Sequence, residues 1–64
     1  MKLAIEKTGE RLEIKAPATV ADLLDSLKIV AEDVIIVKNN EVVLLDEPLV
    51  DTDSLELLSV VSGG

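Results

Sequence analysis

The chain has 64 residues, contains no Cys, no His and no aromatic residue, and carries a formal net charge of −7. The absence of Cys excludes disulfides and Cys-ligated metal sites, and an acidic, aromatic-free composition argues against nucleic-acid binding, which needs basic clusters and stacking partners. No apolar run approaches the ~18 residues of a membrane-spanning helix, so we expect a soluble, cytoplasmic protein.

The aliphatic content predicts one small folded domain. Val, Leu and Ile together supply 25 residues, which is a dense core for a chain of this length. We therefore predict a single domain over residues 1–64, with a flexible C-terminal tail over about residues 61–64.

The first fifteen residues predict an antiparallel hairpin. Apolar and polar residues alternate over residues 1–6 and again over residues 11–15, with Leu12 and Ile14 pointing inward in the second run. Between the two runs, Gly9 is free to take the positive φ that a tight turn needs.

A helix follows the break at residues 16–18. Thr19 is a candidate N-cap, and Asp22 stands three residues on, in the capping-box position. The helix should end near Lys28, because one apolar face runs at helical spacing through Val20, Leu23, Leu24 and Leu27.

The second half predicts three more strands. A β-branched run at residues 34–37 reads as a strand, Asn39-Asn40 suits a two-residue primed turn, and residues 41–44 return. Residues 45–53 form an irregular crossover, in which we expect Leu49 and Val50 to pack as satellite core.

Residues 54–61 predict the last strand. If Leu55 and Leu57 face the helix, Leu58 and Val60 lie on the open face of the sheet and form a partner-docking patch beside the tail. The alternative is that the crossover covers part of this face.

This order of elements, β-β-α-β-β-β, predicts an α+β fold. The economical arrangement is a mixed five-stranded sheet with one main helix packed on one face and with the first and last strands parallel at the centre.

The chain ends in Gly63-Gly64, a thin thread that fits a narrow enzyme channel, since glycine has no Cβ. A carboxylate at its tip could attack the α-phosphate of ATP held by a partner enzyme. The alternative is an inert, frayed terminus.

Three stretches, residues 19–24, 37–43 and 51–58 running into 60–64, resemble the ThiS/MoaD sulfur carriers. These proteins have a β-grasp, ubiquitin-like fold, and the resemblance extends to small archaeal modifiers. Two departures are Asn39-Asn40, where the family usually has Asn-Gly or Asp-Gly, and Thr52-Asp53, where it commonly has Gly-Asp.

The resemblance implies a carrier and not an enzyme. A ThiF/MoeB-like enzyme would adenylate Gly64, using ATP and Mg²⁺ bound on that enzyme, and a persulfide sulfur donor would convert the tip to a thiocarboxylate. Gly63 would give clearance, and Ser62, Val61 and Val60 would be the recognised approach. The chain itself would bind no cofactor. The acceptor would be thiazole synthase, the large subunit of molybdopterin synthase or a tRNA thiolase, serving thiamine, molybdenum cofactor or thiolated tRNA.

Two other functions stay open. A ubiquitin-like modifier would be conjugated through Gly64 to target lysines, and a non-covalent interaction module would have an inert tail. An enzyme is disfavoured because general acid–base work would fall to carboxylates or Lys alone. The acidic pairs Asp51/Asp53 and Glu32/Asp33 read as solvated turns and not as a metal site.

Overall fold

The computed structural model describes residues 1–60, which form a single five-stranded sheet with one α-helix. The elements are β1 (Lys2–Ile5), β2 (Glu10–Glu13), α1 (Val20–Leu27), a 3-10 helix (Ala31–Asp33), β3 (Val34–Lys38), β4 (Glu41–Val42) and β5 (Ser54–Ser59). The strand order is β2-β1-β5-β3-β4, with β1 and β5 parallel and the other pairs antiparallel. The predicted α+β fold and its parallel first and last strands are confirmed. Among residues 1–60, no helix is long and apolar enough to cross a bilayer.

The first hairpin forms as its alternation predicts, except at its edge. Gly9 takes φ +73° in the turn, and its N–H donates to the Ile5 carbonyl at 2.9 Å. Leu12 pairs with Leu3 on the helix side of the sheet, yet Leu12 remains 38% exposed. The prediction that Leu12 is inward is therefore only half right. β2 is an edge strand, and the apolar face of α1 packs over β1, β5 and β3.

The helix starts at the predicted cap. Thr19 is extended, and its Oγ1 accepts a hydrogen bond from the Asp22 N–H at 3.3 Å. This bond satisfies one of the N–H groups that have no partner within the first helical turn. The helix ends at Lys28, which takes the left-handed conformation (φ 57°) and donates its N–H to the Asp25 carbonyl at 3.2 Å.

The second hairpin turns on two asparagines. Asn39 and Asn40 both have positive φ, 51° and 70°, as a primed two-residue turn requires. β4 is shorter than predicted and ends at Val42. The segment after β4 turns toward the helix, where the Leu45 carbonyl accepts a hydrogen bond from the Ala21 N–H at 2.9 Å.

The core lies between α1 and the inner face of β1, β3 and β5. Its largest fully buried side chains are Leu3, Val20, Leu23, Leu55 and Leu57. Leu49 from the crossover joins this core as predicted, but Val50 is 56% exposed, so the prediction for Val50 is wrong. A tight turn holds Val50 at the surface, because the Asp53 N–H donates to the Val50 carbonyl at 3.0 Å.

A polar cluster ties the crossover to the second hairpin. Asp53 is only 8% exposed, and its two side-chain oxygens accept hydrogen bonds from the Asn39 side chain and the Val50 N–H, each at 2.9 Å. The Asn39 side-chain oxygen in turn accepts from the Ser54 N–H at 2.9 Å. Lys38 bridges the same region, because its Nζ lies 2.6 Å from a Glu47 oxygen and 4.0 Å from Asp53 Oδ2.

These contacts shift the pKa values of Asp53 and Lys38. The hydrogen bond from the Val50 N–H, assisted by the one from Asn39, holds the pKa of Asp53 below its ordinary value because both bonds favour the charged carboxylate. The hydrogen bond to Glu47 raises the pKa of Lys38 above its ordinary value.

We predict that Thr19→Ala lowers the free energy of unfolding by about 1 kcal/mol, because it removes the N-cap acceptor. Thr19→Ser keeps the hydroxyl and should retain most of the stability. Urea denaturation followed by circular dichroism measures both variants. Equal losses in the two variants would show that the hydroxyl contributes nothing.

We also predict that the protein loses stability at low pH because Asp53 becomes protonated, and we call this loss the acid limb. A carboxyl with a lower pKa in the folded chain than in the unfolded chain contributes stability above its unfolded pKa, ordinarily 3.8. This contribution is lost as the pH falls through the folded pKa. Asp53→Asn should lower stability at neutral pH, because the amide NH2 of the new side chain would face either the Asn39 side-chain NH2 or the Val50 N–H, both of which are donors. It should also flatten the acid limb, because the amide does not titrate.

Denaturation midpoints between pH 7 and pH 2 test this second prediction. Asp46→Asn is the matched control, because Asp46 is an exposed carboxylate of the same crossover with no side-chain hydrogen bond among residues 1–60. An acid limb of the same depth in Asp53→Asn and in the unsubstituted chain would contradict the assignment to Asp53.

Candidate functional site

The sheet face opposite the helix is open, and it has two halves of different chemistry. Register places Ile35 opposite Leu58, and Val37 opposite both Glu56 and Val42. These four aliphatic side chains on β3, β4 and β5 form what we call the apolar patch: Ile35, Val37, Val42 and Leu58. The β1 and β2 side of the same face is charged, and it carries Lys2, Arg11 and Glu13, with Glu56 of β5 between the two halves.

The apolar patch is accessible to a partner. Val42 is 71% exposed and Ile35 is 41% exposed, while Val37 and Leu58 are half-buried between them. Aliphatic side chains grouped on an otherwise charged sheet face are typical of a protein docking site.

The crossover does not cover this patch. Its backbone bonds to the beginning of the helix, where the Val20 N–H donates to the Glu47 carbonyl and the Leu49 N–H donates to the Ala18 carbonyl, both at 3.1 Å. The crossover therefore lies on the helix side of the sheet, and the alternative of a covered open face does not hold for the apolar patch.

The last described residues are held in place at the end of β5. The Ser59 N–H donates to a Glu6 side-chain oxygen at 3.3 Å, and the Val60 N–H donates to the Asp33 carbonyl at 3.1 Å. Val60 is exposed and continues the register of Leu58, which places it at the end of the apolar patch. We call Ser59 and Val60 the tail base.

The other tail residues lie outside the described part of the chain. The predictions for Val61 and Ser62 as the recognised approach, Gly63 as the clearance and Gly64 as the attachment point therefore stay predictions. Four residues beyond Val60 can span at most about 14 Å, which limits how far Gly64 reaches from the tail base.

We expected the acidic pairs Asp51/Asp53 and Glu32/Asp33 to be solvated turns, and this is wrong for Asp53, because it is buried. Asp51 accepts a hydrogen bond from the Ala16 N–H at 2.8 Å, and Asp53 belongs to the polar cluster described above. Asp33 uses its carbonyl to hold Val60. Within residues 1–60, no three acidic side chains are grouped in a way that could bind a metal ion.

Sequence reasoning found Leu58 and Val60 but missed most of the apolar patch. A usable signal existed for Ile35 and Val37, since both alternate with Ile36, which is buried against the helix. Val42 follows from the two-residue turn, which fixes its pairing with Val37. Glu6 carried no such signal, because its contact with Ser59 joins positions 53 residues apart.

Comparison with known proteins agrees with this architecture. A family model described as the ThiS family matches residues 2–64. A crystal structure of the thiamine biosynthesis protein ThiS from Geobacter metallireducens is 30% identical, with a TM-score of 0.65 and with 100% of each chain covered. A comparison with curated proteins gave no match. The β-grasp fold is thereby confirmed, and the chain belongs to the ThiS family.

Proposed function

We propose that this chain is a sulfur carrier in thiamine biosynthesis, and that Gly64 is adenylated and then converted to a thiocarboxylate. The observation that carries the proposal is the extent of the family match, which runs through the terminal Gly63-Gly64 pair. The apolar patch supports it, because this docking surface leads directly to the tail base.

The chemistry takes place on the Gly64 carboxylate. One carboxylate oxygen attacks the α-phosphorus of ATP, and pyrophosphate leaves. The terminal sulfur of a persulfide then attacks the acyl carbon and displaces AMP, which gives an acyl disulfide. A second thiol of the donor system attacks that disulfide, so that the carrier leaves with a thiocarboxylate and the donor keeps a disulfide.

The chain contributes position and access to these steps. The hydrogen bonds from Ser59 and Val60 fix the tail base, so a partner docked on the apolar patch meets Gly64 at a limited distance. Gly63 lets the backbone pass through a narrow channel because it lacks a Cβ. The chain itself is a carrier and supplies no catalytic group, while ATP and Mg²⁺ are held by the partner.

The first partner is a ThiF/MoeB-like adenylating enzyme. Glu6 and Asp33 border the tail base, and the whole chain carries a net charge of −7, so a basic surface on the enzyme would steer the encounter. The sulfur acceptor is thiazole synthase, the partner that forms the thiazole of thiamine. The molybdopterin synthase large subunit and a tRNA thiolase are the competing acceptors.

We predict that deleting Gly63-Gly64 abolishes activation without unfolding the domain. The assay mixes the chain with its adenylating enzyme, ATP and labelled pyrophosphate, and follows the exchange of label into ATP. An added residue beyond Gly64 should also abolish exchange, because it moves the carboxylate. Full exchange by the truncated chain would end the carrier proposal and favour an interaction module.

Mass spectrometry of the activated chain separates the remaining functions. A carrier gains the mass difference between one sulfur and one oxygen atom at Gly64. A ubiquitin-like modifier would instead leave Gly-Gly remnants on target lysines. Transfer of the sulfur to thiazole synthase, and not to the two competing acceptors, identifies the pathway.

We further predict that Ile35→Lys impairs activation through weaker docking. A charge in the middle of the apolar patch leaves the fold intact, because Ile35 is already 41% exposed, but it should raise the KM for the carrier by about tenfold or more. Val50→Lys is the matched control, since it places the same charge on an exposed aliphatic position of the crossover. Equal effects of the two substitutions would remove the apolar patch from the docking surface.

A further inference from the structure

We propose that β2 is a self-association edge, which pairs antiparallel with β2 of a second copy of this chain around Leu12. The pairing would join two sheets into one, and it is independent of the chemistry at Gly64. Three observations carry it: the direction of the free backbone groups of β2, the order of charges along the strand, and the exposure of Leu12.

The backbone of β2 offers a set of hydrogen bonds that fits its own copy. The Met1 ammonium donates to the Ile14 carbonyl at 2.7 Å and the Ile14 N–H donates to the Met1 carbonyl at 2.9 Å, so these two residues form a hydrogen-bonded pair. In an antiparallel ladder such pairs alternate, which makes Leu3 and Leu12 the next one. The N–H and carbonyl groups of Arg11 and Glu13 therefore point away from β1, toward the open edge.

Pairing centred on Leu12 uses these groups in full. Antiparallel strands centred there place Arg11 of each copy opposite Glu13 of the other, and both residues direct their N–H and carbonyl groups at the partner. The two Arg11–Glu13 pairs would thus form four backbone hydrogen bonds, with the two Leu12 residues as the non-bonded pair between them.

The side chains agree with the same register. Arg11 and Glu13 project from the open face, and neither forms an ion pair with a side chain among residues 1–60. In the pair, each Glu13 lies between Lys2 of its own chain and Arg11 of the second copy, so charges alternate across the joined sheet. Opposite charges on facing strands stabilise a sheet, and like charges there destabilise it.

Leu12 supplies the apolar part of the contact. Its side chain lies on the helix side and is 38% exposed because β2 is an edge strand beyond the reach of α1. At a non-bonded position the two Cα atoms approach to about 4.5 Å, so each Leu12 covers the other. Pairing thereby buries an apolar residue that, on a free edge strand, promotes unspecific association.

The dimer is weak. The five paired residues on each side, 10–14, bury less than the roughly 1,200 Å² of a stable interface, and each copy carries a net charge of −7. The association therefore appears at high protein concentration. The pairing leaves both apolar patches accessible on one side of the joined sheet and both helices on the other, because paired residues of facing strands share a face.

Charge reversal tests the register directly. We expect sedimentation equilibrium, carried up to about 1 mM protein to cover millimolar dissociation constants, to show a monomer–dimer equilibrium. Arg11→Glu and Glu13→Arg should each weaken it about tenfold, since each creates two like-charged pairs. The double variant R11E/E13R restores opposite pairs between the two copies with the original net charge, although it sets an arginine opposite Lys2 of the same chain. It should return the dissociation constant most of the way to its starting value.

Glu10→Arg is the matched control. It alters the net charge by the same amount as Glu13→Arg on the same strand, but residue 10 faces Ile14 of the second copy and should leave dimerisation intact. Circular dichroism checks that each variant is folded. A chain that stays monomeric at every concentration overturns the proposal. Such a result would be expected if the β2 edge paired only with a strand of another protein. Dimerisation that the double variant fails to rescue overturns it as well.

Discussion

The parallel pairing of β1 with β5 is the constraint on which the rest of the structure depends. It places β5 in the middle of the sheet, with Leu55 and Leu57 buried under the helix. The alternate residues of the same strand must then emerge on the open face, where Leu58 meets Ile35. The apolar patch and the tail base therefore both depend on β5, and a register error in this strand would disrupt both of them together.

Entry of β5 into the centre requires a long crossover, and the polar cluster around Asp53 holds its end. Asp53 lies immediately before β5, and its side chain accepts hydrogen bonds from the Asn39 side chain and the Val50 N–H. Its backbone carbonyl accepts a hydrogen bond from the Lys2 N–H at 3.1 Å. One residue thus joins the crossover, the second hairpin and β1. A buried carboxylate is tolerated here because its oxygens are satisfied by hydrogen bonds. In this role both oxygens of Asp53 are used in hydrogen bonds within the described part of the chain.

Local patterns were enough to predict the fold, because alternation, the Thr19 cap and the paired asparagines each act over a few residues. The errors concern tertiary position. Leu12 and Val50 are aliphatic, as core residues are, but Leu12 lies on an edge strand and Val50 lies in a turn that Asp53 holds. Only Leu58 and Val60 of the candidate site were visible in the alternation of β5. The contact of Glu6 with Ser59 was not, since its partners are far apart in sequence and neither position carries a pattern.

The second turn has a consequence for how this sequence can vary. Asn39 and Asn40 share the left-handed backbone that glycine adopts at no steric cost, so the bend alone would accept glycine at either place. The two sites are nevertheless unequal. Asn39 donates to Asp53 and accepts from Ser54, whereas Asn40 has no side-chain bond within residues 1–60. Glycine can therefore replace the second asparagine without the loss of a side-chain hydrogen bond. Glycine at the first would preserve the bend but remove the hydrogen bonds that tie the turn to Asp53 and Ser54 at the start of β5.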